Sequence, residues 1–147
     1  SITPQDDIRT AQYKNMICSK NLIKKLLAAY KEGNISVRTD SKDFDSWYNK
    51  RTAADGKIDF HGRTREIYNL IRGVAAPFPG AFAYVGEEKV TVWEAQPFDE
   101  MIDFSAYAPG EVIDVFDGHP IVRTVDGSLL IKKYESAKEL QAGDVLA

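Results

Sequence analysis

The chain has 147 residues, 44% of them hydrophobic and 28% charged, with a formal charge of −3. That balance fits one compact globular domain, or one domain with a helical appendage, and it allows a core without disulfides or structural metals. No apolar run approaches the roughly 18 residues that a helical membrane span needs. The single cysteine, Cys18, has no intrachain partner. With no signal peptide at the start, this leads to the expectation of a soluble, cytoplasmic protein without membrane contact.

The charge is unevenly spread. Residues 1–74 hold 14 Lys/Arg and 9 Asp/Glu, whereas residues 75–147 hold 5 and 13. The halves are therefore +5 and −8. The second half is a poor surface for a polyanion.

The first predicted element is a helix over residues 3–31. Thr3-Pro4-Gln5-Asp6 supplies an N-cap Thr, Pro at the first helical position and Asp three residues after the cap. Ile8, Ala11, Met16, Cys18, Leu22, Ile23, Leu26, Leu27 and Tyr30 share one face, with Asn15 inside it and Lys14, Lys24 and Lys25 opposite. Gly33 is a natural left-handed stop. Nothing of comparable size in this region covers the face, so it reads as a surface made to dock elsewhere. Cys18 lies on it and is expected to be a buried, inert thiol.

Residues 35–51 read as extended, polar and aromatic, through Val37, Phe44, Trp47 and Tyr48. Ala54-Asp55-Gly56 signals a turn, followed by a short strand over 57–60. A second helix is predicted over 63–72, striped by Ile67, Leu70, Ile71 and Val74 and stopped by Gly73. Pro77-Phe78-Pro79-Gly80 forbids any further helix.

From there the pattern is β. Residues 81–85 and 89–95 form a hairpin about Gly86-Glu87-Glu88, and 96–108 read as an acidic connection. Residues 111–116, 121–125 and 128–134 form a meander turned at Asp117-Gly118 and again at Asp126-Gly127, both with the type I′ signature. Ser136-Ala137-Lys138-Glu139 has the form of a capping box for a short helix ending near Gly143. Five strands so spaced suggest a small barrel of the OB type. The fold class is α+β.

Candidate chemistry is sparse. The sequence holds no P-loop, dinucleotide fingerprint, metal-spaced Cys/His set or Ser nucleophile elbow. His61 and His119 lie far apart and read as capping or surface residues. Asp43/Asp45, Asp99/Glu100 and Asp126 fall in loop-like stretches, where close carboxylates are expected by chance among 22 acidic residues. The informative stretch is Asn49-Lys50-Arg51-Thr52 with Asp55-Gly56. Lys50 and Arg51 beside Trp47 and Tyr48 offer a phosphate grip next to a stacking surface, and the competing reading is an Arg51–Asp55 pair that fixes a turn.

Eight stretches carry a resemblance. Lys50-Arg51-Thr52, Asp55-Gly56-Lys57-Ile58-Asp59-Phe60 and Ile67-Tyr68-Asn69-Leu70-Ile71-Arg72-Gly73-Val74 resemble the linker and helix after the catalytic domain of the formyltransferase family. Pro77-Phe78-Pro79-Gly80-Ala81-Phe82 and Lys89-Val90-Thr91-Val92-Trp93-Glu94-Ala95 are similar to the start of its C-terminal barrel. Pro109-Gly110-Glu111-Val112-Ile113 and Asp126-Gly127-Ser128-Leu129 resemble its later strands, and Ile2-Thr3-Pro4-Gln5-Asp6-Asp7 the lead-in to the last helix of the catalytic domain.

The resemblance implies a chain with two parts. Residues 1–60 would be the last catalytic-domain helix and linker, and 61–147 a helix plus an OB-like barrel. The family moves a formyl group from 10-formyltetrahydrofolate to an amine, with a catalytic Asn, His and Asp in an N-terminal domain. No Asn-x-His occurs here. No catalytic, metal or cofactor residue is therefore carried over, and the chain alone is expected to be inactive, with the catalytic domain as its missing partner. Lys50, Arg51 and Asp55 would form an edge of the substrate groove. The acidic second half favours a nucleotide-linked amino sugar as substrate, as in the enzymes that formylate sugar nucleotides, and disfavours nucleic acid. A methionyl-tRNA formyltransferase and a non-catalytic OB-type binding module stay open as alternatives, as does a homodimer through paired hairpin edges.

Overall fold

The computed structural model describes residues 1–35 and 49–147. The aromatic stretch through Val37, Phe44, Trp47 and Tyr48, and the Asp43/Asp45 pair, lie outside the described residues.

Helix α1 runs Ile8–Lys31. It begins later than the sequence suggests. Asp7 is the N-cap, accepting from the Thr10 amide at 2.8 Å, while the Thr10 hydroxyl accepts from the Asp7 amide at 3.0 Å. Thr3 instead closes a separate turn, because the Asp6 carboxylate folds back to accept from the Thr3 amide and hydroxyl. Gly33, at φ +68°, ends the helix as expected. No residue of α1 is buried; Leu22 is 67% exposed, Leu26 56% and Tyr30 70%. Cys18 is exposed too, which corrects the expectation of a buried thiol. The reason is the same: nothing in the described chain covers the face on which it lies.

A single 3-10 turn, Ala53–Gly56, leads to helix α2, Thr64–Val74. The strand expected over 57–60 reduces to one parallel bridge, Lys57 to Phe82. Its apolar residues still serve the core, since Ile58 and Phe60 are buried. Helix α2 runs through Gly73, which has no left-handed φ and would place a Cβ in open space. Glycine there costs helix stability with no steric benefit. Gly73→Ala is therefore expected to raise stability by about 0.5–1 kcal/mol in denaturant titration.

Five strands follow: β1 Ala81–Val85, β2 Glu88–Asp99, β3 Val112–Phe116, β4 His119–Arg123 and β5 Ser128–Glu135. They form one antiparallel sheet in the order β1-β2-β5-β4-β3. By strand pairing the sheet is open and not a closed OB-type barrel, because β1 and β3 do not pair. The C-terminal residues span the gap. Val112 donates to the Asp144 carbonyl, Leu146 to that of Gly110, and Ala147 exchanges two 2.8 Å hydrogen bonds with Tyr84. The helix expected after Ser136 does not form. Glu88 takes the Ser136 hydroxyl at 2.6 Å and the Lys138 amide at 2.8 Å, and the chain continues as turns into this strap.

Strand β2 is longer than its sequence signal and includes Pro97. Beyond Val92 it has lost β1 as a neighbour and pairs only with β5, so the missing N–H of Pro97 faces an unpaired edge. The core joins Ile67 and Ile71 of α2 to Val90, Val92, Val112, Val122, Leu129 and Ile131 of the sheet, sealed by Leu140 and Leu146.

Candidate functional site

Of the two Asp-Gly turns read from the sequence, one sets the geometry at the start of α2. Asp117-Gly118 has φ +51° and +77°, the type I′ hairpin that its sequence signals. Asp126-Gly127 does not repeat it, for neither residue has positive φ and four residues separate β4 from β5. Asp126 is drawn away by α2. Its carboxylate accepts from the Thr64 amide at 2.8 Å and the Thr64 hydroxyl at 2.9 Å. The one Thr64 proton is thus used, so Thr124 donates to Thr64 across 2.6 Å. Both threonines are completely buried.

The Thr64 amide, then its hydroxyl, hold the Asp126 carboxyl below its ordinary value. A carboxyl lowered in the folded state adds stability above its unfolded value and loses it as pH falls through the folded one. Asp126→Ala is expected to cost about 1 kcal/mol at pH 7. The gap from the unmodified chain should close as pH drops below the ordinary 3.8. Urea titrations across that range check it.

A groove of about 720 Å³ lies where the 3-10 turn, the second half of α2 and the Phe78-Pro79-Gly80 loop meet the start of α1. Leu70, Val74, Phe78 and Ile8 give it an apolar floor, and Arg51, Thr52, Asp55 and Asn69 a polar margin. Gly80 is required here. It has φ +84°, and a Cβ would lie 2.8 Å from Thr91 and 2.9 Å from Trp93.

Of the three site residues read from the sequence, Arg51 and Asp55 line this groove; Lys50 is exposed and does not. Asp55 is turned to its own backbone, accepting from the Thr52 amide at 2.5 Å and the Thr52 hydroxyl at 3.1 Å. Those bonds lower its carboxyl below the ordinary value, with the Arg51 charge a smaller cause. Asp55 is therefore the cap of the turn that presents Arg51. Sequence reading did not single out Asn69 and Phe78. Their signal was weak, since each lies inside a stretch read for its helix or loop and for the resemblance, with no charge to mark it.

The other candidates are engaged locally. Asp99 accepts from the Met101 and Ile102 amides. His61 Nδ1 lies 3.2 Å from Asp59, but both side chains are about 80% exposed, so the pair is weak in water. Among the described residues no group of three or more His, Cys, Asp or Glu is placed to hold a metal, and no helix is long and apolar enough to cross a membrane.

The strand order, the α2 packing and the groove coincide with a sequence match. Residues 50–147 match the family described as Formyl transferase, C-terminal domain. The chain belongs to that family. Among solved structures, this formyltransferase C-terminal domain is similar to HypX from Aquifex aeolicus in complex with tetrahydrofolic acid, with TM-score 0.58 and 21% identity. A multiply substituted variant of the same Aquifex aeolicus protein gives 0.59 at 21% identity. In each case the likeness covers 79% of this chain and 20% of the other, so the chain spans about a fifth of the length of those structures. At that identity the likeness carries the fold.

Proposed function

We propose that the chain is the C-terminal part of a folate-dependent formyltransferase that moves a formyl group from 10-formyltetrahydrofolate to the amine of a nucleotide-linked amino sugar. One observation carries the reading. A 24-residue helix whose apolar side chains, Leu22, Ile23, Leu26 and Leu27 among them, stand exposed lies beside a well-packed domain of this family. The face fits a helix that completes a second unit, the one that would bind folate and hold the groups stabilising the oxyanion as the amine attacks the formyl carbon. In this chain Arg51 would supply positive charge to a diphosphate at the groove, and Asp55 would hold the turn that presents it.

The sugar substrate is favoured over tRNA by charge. Residues 75–147 carry −8, where a tRNA-binding face needs excess cations. Incubated with 10-formyltetrahydrofolate and a panel of nucleotide amino sugars, the chain alone is expected to show no turnover. Turnover above background would refute the assignment of catalysis to another unit. A micromolar, salt-sensitive complex with tRNA would replace the sugar reading with the methionyl-tRNA one.

A further inference from the structure

The turn that precedes α1 is held by side chains of α2. Arg72 donates through Nη1 to the Thr3 carbonyl at 3.1 Å and the Asp6 carbonyl at 2.6 Å. The Tyr68 hydroxyl donates to the Pro4 carbonyl at 2.8 Å. Three carbonyls in four residues are thereby satisfied by two side chains of one helix.

Each side chain is itself set in place. Arg72 Nε donates to Asn69 Oδ1 at 2.9 Å, and the Arg72 guanidinium stacks 5.5 Å from the centre of the Tyr68 ring. The turn is closed from inside as well. Asp6 is only 7% exposed, and its carboxylate takes the Thr3 amide, the Thr3 hydroxyl and the Lys14 ammonium, the last at 2.5 Å. Lys14 stands on the second turn of α1, so the Asp6 carboxylate ties the helix to the clamped turn. Among the described residues, every side-chain hydrogen bond between residues 1–35 and 49–147 is one of those made by Tyr68 and Arg72. Arg9, Gln12, Tyr13 and Met16 on the first turns of α1 border a shallow groove with Ala76 and Pro77.

We propose that Tyr68 and Arg72 form a clamp that fixes the direction in which α1 leaves the sheet domain, and with it the seating of the folate-binding unit against the apolar face of α1. The second clause rests on the docking reading given under the proposed function; the first does not. The physical ground is geometric. Packing holds α1 only near its base, where Ile8 and Ala11 are half-buried and no residue is fully buried, so much of its orientation falls to the directed bonds there. Helix α2 suits the role because Ile67 and Ile71 root it in the core. Arg72 and Tyr68 are then positioning residues.

The single, exposed Cys18 allows a direct test on the intact chain. A spin label there and a second at Lys133→Cys, exposed on β5, report the angle of α1 by pulsed dipolar spectroscopy after dilution with unlabelled chain. A narrow distance distribution is expected for the otherwise unmodified chain. Arg72→Ala should broaden it about twofold or more, since it deletes two of the three bonds. Arg72→Lys should recover part of the narrowing, and Arg65→Ala, which touches the Tyr68 ring but no carbonyl of the turn, should leave it unchanged. A distribution as narrow in Arg72→Ala as in the parent overturns the clamp. Should that variant fail to fold, Tyr68→Phe decides. Loss of its one hydroxyl should speed amide exchange at Asp6, Thr10 and Ala11 by about 2- to 10-fold, and unchanged exchange overturns the clamp equally. Because no partner is present, failure here leaves the docking reading to its own test.

Discussion

Gly110→Ala is expected to destabilise the domain more than any other glycine substitution in the chain. Gly110 has φ +86°, and a Cβ would come 2.1 Å from the Leu146 carbonyl oxygen. The left-handed backbone alone costs an L-residue about 1–2 kcal/mol. The clash adds more, because it pushes out the strap that bridges the two sheet edges. Leu146 is 1% exposed within the core, and losing a buried leucine costs about 2–5 kcal/mol. A total of about 3 kcal/mol or more should lower the thermal midpoint by over roughly 10 °C. Gly143→Ala is the internal control. It sits in the same strap at φ +90° with nothing within 4 Å, so only the backbone cost applies. Equal losses in the two variants would mean that the strap does not seal the sheet.

The second large effect concerns association. Leu22 and Leu26 lie on the uncovered face of α1, and each forgoes about 1.5–3 kcal/mol of burial while in water. The isolated chain is expected to hide this face by pairing with another copy. Leu22→Glu with Leu26→Glu should weaken that association by more than about 100-fold in sedimentation equilibrium. The same double variant should leave the unfolding of the sheet unchanged, because α1 contributes no buried residue to the core. A large drop in the thermal midpoint would show that α1 packs on its own domain.

Local features were the legible part of this fold. The five strands, the Asp117-Gly118 hairpin and the Gly33 stop were read from the chain because each depends on neighbours in sequence. The misreadings arise where a distant group competes for a local one. Asp126-Gly127 has the letters of a tight turn, yet Thr64 claims the Asp126 carboxylate from 62 residues away, and Arg123 binds the Thr124, Val125 and Gly127 carbonyls of the loop. Ser136 has the letters of a capping box, yet Glu88 claims its hydroxyl. The open sheet escaped for the same reason, since a strap drawn from the last residues has no periodicity to betray it.

The candidate site was legible in part. Arg51 and Asp55 were picked out by charge beside a turn signal, and both line the groove. The clamp was not, although Arg65, Tyr68, Asn69 and Arg72 at three- and four-residue spacing share the exposed side of α2. That spacing shows which side chains meet one another. It does not show that the Thr3–Asp6 turn returns to meet them.

Whether α1 is a docking element is tested most directly by amide hydrogen exchange on α1, read together with the mass in solution by light scattering. The expected result is a particle heavier than the 16.5 kDa monomer, or a monomer whose α1 amides exchange far faster than those of β2 and β5. A strict monomer with α1 protected as strongly as β5 would contradict it, since the apolar face would then be buried against its own sheet and the chain would need no second unit.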